Sequence, residues 1–210
     1  DFQLLGIGRT GHVGFNEPGS HFNSGTRVIT LDHITRVDAA PSFLGIANVP
    51  RKAITMGIAT VRKAKRIVLL GWGENKAGII KKTIEGDISS HVPATYLQEH
   101  DNCTFVLDTG AGSQLTRNKT PWLVDACEWT EDLKAKAMVW LCENTGKTIL
   151  SLTDKDYNDN GMADLLALDD SYDLNIEMFN KLQHTITGWP GGKPNADDTH
   201  RPERAAPAKK

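Results

Sequence analysis

The sequence predicts an α/β protein with a mainly parallel, Rossmann-like open sheet. Apolar runs of strand length alternate with helical patterns, and a glycine-rich turn directly follows the first run. The predicted strands are residues 2–7, 53–58, 66–70 and 104–107, and the predicted helices between them are residues 60–65 and 74–85. Strand–helix–strand alternation at this spacing is typical of parallel βαβ units with right-handed crossovers.

The composition limits the partners that the protein can have. Lysine and arginine number 24 against 26 aspartate and glutamate residues, so the formal net charge is −2. A nucleic-acid-binding domain usually carries a basic stripe, and a membrane-spanning helix needs roughly 18 consecutive apolar residues. The sequence has neither, so we expect no nucleic-acid partner and no membrane partner. Hydrophobic residues make up 39% of the chain, which is enough for a packed core.

Between the first two predicted strands lies a polar segment, residues 21–50, with a short helical piece near residues 34–40. Long polar loops in compact domains are usually functional lids or disordered. The helix at residues 74–85 places Ala77, Ile80 and Ile84 at helical spacing and ends at Gly86. Because residues 2–7 form an interior-type strand with nothing before it, we expect the sequence to be a piece of a longer protein.

The second half of the chain has helical rather than alternating patterns. Thr130 can cap a helix that runs to about residue 143, and another helical pattern covers residues 174–184. Residues 188–210 combine turn chemistry with proline, alanine and charge, which predicts a linker or disordered tail. We therefore divide the chain into an α/β portion, a helical extension and this tail, with ranges 1–120, 121–187 and 188–210.

The most informative segment is the run G-I-G-R-T-G-H-V-G-F-N-E-P-G-S at residues 6–20. Its first three glycines have the spacing of a dinucleotide-binding fingerprint, but that site needs a helix at the third glycine. The turn residues at 16–19 would break such a helix, so we disfavour dinucleotide binding. Gly8 and Gly11 instead allow a tight turn and close backbone approach to a ligand at the carboxyl end of a strand.

His12 and Glu17 lie on this loop, five positions apart. An imidazole exchanges protons near neutral pH, and a neighbouring carboxylate can fix its tautomer and stabilise its cation. Such a pair could open a sugar hemiacetal. From spacing alone, an ordinary loop histidine bonded to backbone beside a solvated glutamate explains the two residues equally well.

The run at residues 6–20, followed by S-G-T-R at 24–27, closely resembles the glucosamine-6-phosphate isomerase/deaminase family. The resemblance continues through A-I-T-M-G-I at 53–58 and P-A-T-Y-L-Q-E-H at 93–100, and it covers roughly residues 2–110. It corresponds to the C-terminal half of the family domain. The resemblance implies a sugar-phosphate isomerase/deaminase fold that converts glucosamine 6-phosphate and water to fructose 6-phosphate and ammonia, without a cofactor.

The resemblance also implies roles for individual residues. His12 falls on the ring-opening histidine and Glu17 on the glutamate coupled to it. Lys76 falls on a lysine that contacts substrate phosphate, and Gly8 and Gly11 form the turn beside the substrate. The family's proton-transferring aspartate would precede this piece, so we expect negligible turnover from residues 1–210 alone.

Two positions of the expected active site depart from the family pattern. Thr10 stands where deaminases commonly carry an aspartate, and a hydroxyl cannot stabilise an imidazolium as a carboxylate does. A second phosphate-binding arginine would fall near Pro41, where Arg36 is the nearest basic residue.

The resemblance touches on regulation as well. Ser20, Arg27 and Thr30 match an allosteric sugar-phosphate site of some family members. Ile29 replaces the lysine that accompanies them, which argues against allostery in this chain.

The sequence predicts no metal site. Residues 156–161 match the start of a calcium loop, but Ala167 stands where a bidentate glutamate is required, so we expect a turn and helix cap there. His91 and His100 could join His12, but no carboxylate or cysteine completes a ligand set.

Cysteine usage points to a reducing compartment. The three cysteines are widely spaced and form no CxxC pair, at positions 103, 127 and 142. This pattern predicts neither a disulfide scaffold nor a cysteine-built zinc site and favours a cytoplasmic location.

The leading prediction is an enzyme of amino-sugar phosphate metabolism whose partner is a small-molecule sugar phosphate. The resemblance adds a homo-oligomeric assembly and, after the tail, a deacetylase-like domain as expectations. Two alternatives stay open. One is a non-catalytic sugar-phosphate-binding module, which Thr10 and Pro41 would explain, and the other is a 6-phosphogluconolactonase-like hydrolase.

Overall fold

A computed structural model describes residues 1–187, so the predicted tail at 188–210 lies outside the described residues. The chain divides into two compact units, Asp1–Asp125 and Ala126–Lys210. Within the described part of the chain, no helix has both the length and the apolar character needed to cross a membrane.

The Asp1–Asp125 unit is an α/β unit, as the alternating pattern predicts. Its strands are β1 (Phe2–Gly6), β2 (Arg27–Thr30), β3 (Lys52–Thr55), β4 (Arg66–Gly71) and β5 (Cys103–Leu107). Its α-helices are α1 (His33–Ala39), α2 (Ile58–Arg62), α3 (Ala77–Glu85) and α4 (Thr116–Lys119). Strands β1, β4 and β5 form a parallel sheet in the order β1-β4-β5, which confirms the predicted fold class.

One face of this sheet forms the core. Leu5, Ile67 and Leu69 are buried on that face, and Ile80 of α3 and Leu97 belong to the same apolar cluster. Burial of such side chains is the main favourable contribution to folding. The parallel strands therefore have a fixed register, and the loops at their carboxyl ends are held close to one another.

The structure corrects two expectations about strands. The run at 53–58 does not join the parallel sheet, because β3 pairs antiparallel with β2 in a separate two-stranded sheet, Val28 opposite Ile54. The first strand is not buried on both faces: β1 pairs with β4, but Phe2 and Leu4 are more than half exposed. Periodicity alone could not separate a half-buried strand from a buried one in so short an apolar run.

The Ala126–Lys210 unit is helical over its described residues. Helix α5 (Glu131–Thr145) begins at Thr130, whose Oγ1 accepts a hydrogen bond from the Leu133 N–H at 3.3 Å, as predicted. Helices α6 (Asp154–Asp159), α7 (Ala163–Leu166) and α8 (Ser171–Thr187) follow. Of the 156–161 segment, residues 156–159 belong to α6 and residues 160–161 follow its end, while Asp156 and Thr153 form a capping box at its start.

Candidate functional site

The glycine turn after β1 is closed by its own backbone. The Gly8 N–H donates to the His12 carbonyl at 3.1 Å, and the Gly11 N–H donates to the Gly8 carbonyl at 3.0 Å. Gly11 has a φ of +77°, and a Cβ there would lie 2.5 Å from Val92 Cγ1. Both amides are therefore used within the turn, and substrate contact by Gly8 and Gly11 stays a prediction.

The imidazole of His12 packs directly against Gly8. A Cβ at Gly8 would lie 2.2 Å from His12 Cε1 and 2.3 Å from Nε2, far inside van der Waals contact. Only glycine leaves room for the ring in this position. The glycine pattern thus has a specific consequence, because it sets where the histidine side chain lies at the carboxyl edge of the sheet.

Three oxygen atoms surround Nδ1 of His12. Thr10 Oγ1 lies 3.0 Å from it, Thr35 Oγ1 lies 3.2 Å from it, and Glu17 Oε2 lies 3.2 Å from it. No hydrogen bond to Nε2 occurs among residues 1–187. The hydroxyls can either donate or accept, whereas an ionised carboxylate only accepts, so Glu17 favours a proton on Nδ1. With the proton on Nδ1, Nε2 is the nitrogen that can exchange a proton.

Glu17 reaches His12 through a compact bend and is 8% exposed. The Asn16 N–H donates to the Val13 carbonyl at 3.1 Å, and the Glu17 N–H donates to the Phe15 carbonyl at 3.0 Å. Glu17 Oε1 accepts a hydrogen bond from the Asp32 N–H at 3.3 Å. Oε2 is buried and accepts no hydrogen bond from the described residues, so its 3.2 Å approach to His12 Nδ1 is a close contact without an aligned hydrogen bond.

Asp32 connects this bend to α1. Its Oδ1 accepts a hydrogen bond from the Ile34 N–H at 2.7 Å and so caps the helix that carries Thr35. The cap explains how a residue 23 positions after His12 reaches its ring. Sequence reasoning missed Thr35, because the helix signal gave its approximate position but no pattern pointed its hydroxyl at His12.

Lys76 lies after β4, at the same carboxyl edge of the sheet as the glycine turn. Its Nζ donates a hydrogen bond to the Ile7 carbonyl at 2.9 Å. Burial lowers the pKa of the Lys76 ammonium, Asp38 opposes this effect and Arg9 adds to it. The structure thus brings Lys76 to the residues that lead into the His12 turn.

The predicted effector-binding residues comprise a hydrogen-bonded pair, Ser20 and Arg27, and a third residue, Thr30. Arg27 donates from Nη2 to Ser20 Oγ at 2.8 Å and from Nη1 to Asn16 Oδ1 at 3.0 Å. Thr30 lies at the far end of β2, opposite Lys52. Asn16, which is fully buried, was not predicted and ties this group to the His12 loop. An allosteric role for Ser20, Arg27 and Thr30 stays a prediction.

Pro41, near which the resemblance places a second phosphate-binding arginine, lies in a short 3₁₀ segment, Ala40–Phe43. Arg36 donates from Nη2 to the Ile46 carbonyl at 3.0 Å. Arg9, in the glycine turn, forms an ion pair with Asp38 of α1.

In the helical unit, carboxylate oxygens of Asp169, Asp170 and Asp173 lie within 4.8 Å of one another. The Asp173 N–H donates to Asp170 Oδ1 at 2.9 Å. Acidic groups are favoured at the first turn of a helix, here α8, because of its dipole. We assign no metal to this cluster.

The structure places a histidine and a glutamate on the loop at the carboxyl edge of a parallel sheet, the edge at which open α/β sheets commonly bind ligands. The comparisons with known proteins show what the chain is similar to. No protein-family model matches the chain.

A glucosamine-6-phosphate deaminase-like protein of Bacteroides thetaiotaomicron is 58% identical over 208 residues, which cover 99% of this chain and 31% of that protein. The glucosamine-6-phosphate deaminases of Streptococcus pyogenes and Corynebacterium urealyticum are 48% identical over 115 and 126 residues, or 49% of each relative. A solved structure of a monomeric glucosamine-6-phosphate deaminase of the NagB superfamily matches with a TM-score of 0.53 and 50% identity. That match covers 54% of this chain and 47% of the deaminase.

These findings confirm the resemblance predicted from the sequence: the chain is similar to part of the glucosamine-6-phosphate deaminases. It spans about half the length of the deaminases it matches and about a third of the Bacteroides protein. The match with the Bacteroides protein covers nearly the whole chain, so that relative shares the helical unit as well.

Proposed function

We propose that the protein takes part in converting glucosamine 6-phosphate and water to fructose 6-phosphate and ammonia. The observation that carries the proposal is the pairing of His12 with buried Glu17 at the sheet edge to which Lys76 also reaches. The names of the relatives support the same reaction.

The geometry suits His12 to opening the sugar ring. Opening a hemiacetal removes a proton from the hydroxyl on C1 and delivers one to the ring oxygen, and one imidazole can do both in turn. With Nδ1 turned toward Glu17 and the two threonines, Nε2 is the nitrogen for this exchange. Glu17 stabilises the imidazolium that forms when His12 holds the proton. We assign no described residue to the later proton transfer between C1 and C2.

Lys76 has the role of binding the phosphate group. Its ammonium is a compact charge on a flexible stem, and it lies at the start of the nine-residue helix α3, whose N-terminal amides also favour an anion. A homo-oligomeric assembly, a cytoplasmic location and a following deacetylase-like domain stay predictions.

The test measures ammonia release from glucosamine 6-phosphate by the full-length protein that contains residues 1–210, which we call the intact protein. Replacing His12 with Gln should lower kcat by about 10²–10⁴-fold while sugar-phosphate binding persists, because the acid–base step is lost and Lys76 remains. Lys76→Ala should raise KM more than it lowers kcat. His91→Gln, which changes an exposed histidine, is the matched control and should leave both constants unchanged.

An unchanged kcat in His12→Gln would contradict the proposal. A wild-type protein that binds the sugar phosphate but releases no ammonia would favour a non-catalytic binding module. The specific observation behind that second function is Thr10, whose hydroxyl stands 3.0 Å from His12 Nδ1 where the resemblance leads us to expect a carboxylate.

A further inference from the structure

An ion pair joins the glycine turn to helix α1 across 29 positions of sequence. Arg9 Nε donates to Asp38 Oδ2 at 3.0 Å, and a second, short hydrogen bond joins Nη2 to Oδ1. The guanidinium thus holds the carboxylate with two parallel hydrogen bonds, the geometry that gives arginine its selectivity for carboxylate and phosphate. Both side chains are close to half exposed, so the pair lies within reach of solvent and of a ligand.

The pair belongs to the same charged group as Lys76 and His12. Arg9 lowers the pKa of the Asp38 carboxyl through the hydrogen bond, and Lys76 and His12 act on it in the same direction. Lys76 reaches the Ile7 carbonyl, two residues before Arg9 in the turn. The positive charges of Arg9 and Lys76 therefore both act on a single carboxylate, that of Asp38.

A sugar phosphate carries more negative charge than the single positive charge of Lys76 balances. A phosphate monoester carries about −1.5 to −2 charges near pH 7, against one charge on the lysine. The resemblance places the second phosphate-binding arginine near Pro41, and the nearest basic residue, Arg36, donates to the Ile46 carbonyl. Arg9 is the guanidinium whose charge acts on Lys76.

We infer that Arg9 is the second phosphate-binding residue of this site and that Asp38 is its internal competitor, which substrate phosphate displaces. The Asp38 carboxylate holds the guanidinium in a paired geometry before the ligand arrives. Phosphate then replaces one anionic oxygen pair with another on the same guanidinium fork. The inference rests on the proposed function in so far as the ligand is a sugar phosphate.

The inference is testable because Arg9→Gln should weaken sugar-phosphate binding and Asp38→Asn should not. Binding of glucosamine 6-phosphate and of unphosphorylated glucosamine to the intact protein is measured by calorimetry at about 0.15 M salt, where remote charges are largely screened. Arg9→Gln should weaken glucosamine 6-phosphate binding by about ten- to hundredfold and leave glucosamine binding unchanged. Asp38→Asn should leave glucosamine 6-phosphate binding equal or tighter, because the competitor is gone.

Lys65→Gln is the matched control. Lys65 pairs with Asp1 at the amino end of the strands, opposite to the site, and both side chains are more than four-fifths exposed. Lys65→Gln removes one positive charge, as Arg9→Gln does, and should change sugar-phosphate binding by no more than about twofold.

The alternative is that the Arg9–Asp38 pair only holds α1 in place. In that case Arg9→Gln and Asp38→Asn would weaken binding equally, and the inference would be overturned. It would also fall if Arg9→Gln behaved like Lys65→Gln. A wild-type protein that binds the sugar phosphate in an Arg9-dependent way but releases no ammonia would refute the proposed function and support the inference.

Discussion

The two units of the chain bury polar side chains in different ways. In the helical unit, buried Tyr157 donates from its hydroxyl to Asn175 Oδ1 at 2.6 Å, and Asn175 Nδ2 donates to the Leu152 carbonyl at 2.8 Å. In the α/β unit, buried Glu17 Oε2 accepts no hydrogen bond from the described residues, and it faces an imidazole that two threonine hydroxyls also contact.

The polar pair of the helical unit therefore has the features of a structural pair, and that of the α/β unit has the features of a pair that takes part in a reaction. Burial raises the pKa of the Tyr157 phenol, so that group remains a hydrogen-bond donor at ordinary pH. A fully satisfied pair fixes side-chain positions in a core. A buried carboxylate that lacks a hydrogen bond at one oxygen can stabilise a positive charge that forms later on a neighbouring imidazole. Leaving that oxygen without a hydrogen bond lowers the folding stability.

The largest expected effect is at Gly8, where Ala should lower activity by about 10²–10⁴-fold, the contribution of a complete acid–base step. The new Cβ would force the His12 ring away from Glu17 and Thr10, because it would lie 2.2 Å from Cε1. Turnover of glucosamine 6-phosphate by the intact protein measures this loss, and thermal unfolding measures the accompanying change in stability.

Gly6→Ala is the control for this substitution. It lies two residues earlier, and nothing stands within 4 Å of its Cβ position. It should leave turnover almost unchanged. Equal losses in the two variants would show that the His12 position does not depend on the glycine at 8.

What the sequence could predict depends on whether a feature arises from neighbouring or from distant residues. The parallel sheet followed from alternating strand and helix patterns, and the helix from Thr130 followed from its cap, because both depend on local signals. The contact of Thr35 with His12 and the pairing of β3 with β2 depend on residues distant in sequence. Neither has a periodicity or spacing that could have revealed it.

Within the site, local and distant contributions can also be separated. The motif at residues 6–20 brought His12 and Glu17 together on one loop, and the structure places them 3.2 Å apart. The approach of Lys76 to Ile7 follows from the shared carboxyl edge of parallel strands, a property of the predicted fold class. The Arg9–Asp38 pair joins two loops across 29 positions, and no motif predicts such a contact.

The second largest effect is expected for Glu17→Gln. The amide keeps the size of the side chain but cannot stabilise a cation on His12, so kcat should fall by about 10²-fold, at the low end of an acid–base contribution. The free energy of unfolding should not decrease, because a neutral amide avoids the cost of burying a carboxylate whose Oε2 accepts no hydrogen bond from the described residues. Steady-state kinetics and denaturant unfolding of the same preparations test both statements. A destabilised variant with normal kcat would make Glu17 a structural residue like Asn175.

The third prediction concerns the helical unit. Tyr157→Phe leaves Asn175 Oδ1 without its donor, so the unfolding free energy should fall by about 1–3 kcal/mol, with kcat unaffected. Denaturant unfolding measures the loss. Tyr172→Phe changes an exposed tyrosine and should stay within about 0.5 kcal/mol of wild type. A loss of turnover in Tyr157→Phe without loss of stability would remove the distinction between the two units.

The smallest expected effect is that of Asp156→Asn, which tests whether charges of the helical unit act on stability alone. Asp156 pairs with Lys147 at 2.7 Å and accepts hydrogen bonds from the Thr153 N–H and hydroxyl at 2.8 Å. These contacts, that with Lys147 foremost, lower the pKa of Asp156 from 3.8 to about 2. The variant should cost about 0.5–1 kcal/mol at neutral pH, because the pair is near the surface and screened.

The pH dependence of this cost has a definite sign. Because the folded-state pKa lies below the unfolded one, the contribution of the carboxylate is fully present above about pH 4 and is lost as the pH falls through about 2. The difference in unfolding free energy between wild type and Asp156→Asn should therefore shrink toward pH 2. Asp159→Asn removes an exposed pair with Lys155 and should cost no more than about 0.5 kcal/mol. A cost of Asp156→Asn that stays constant down to pH 2 would mean that the cap geometry, and not the charge of Asp156, stabilises this unit.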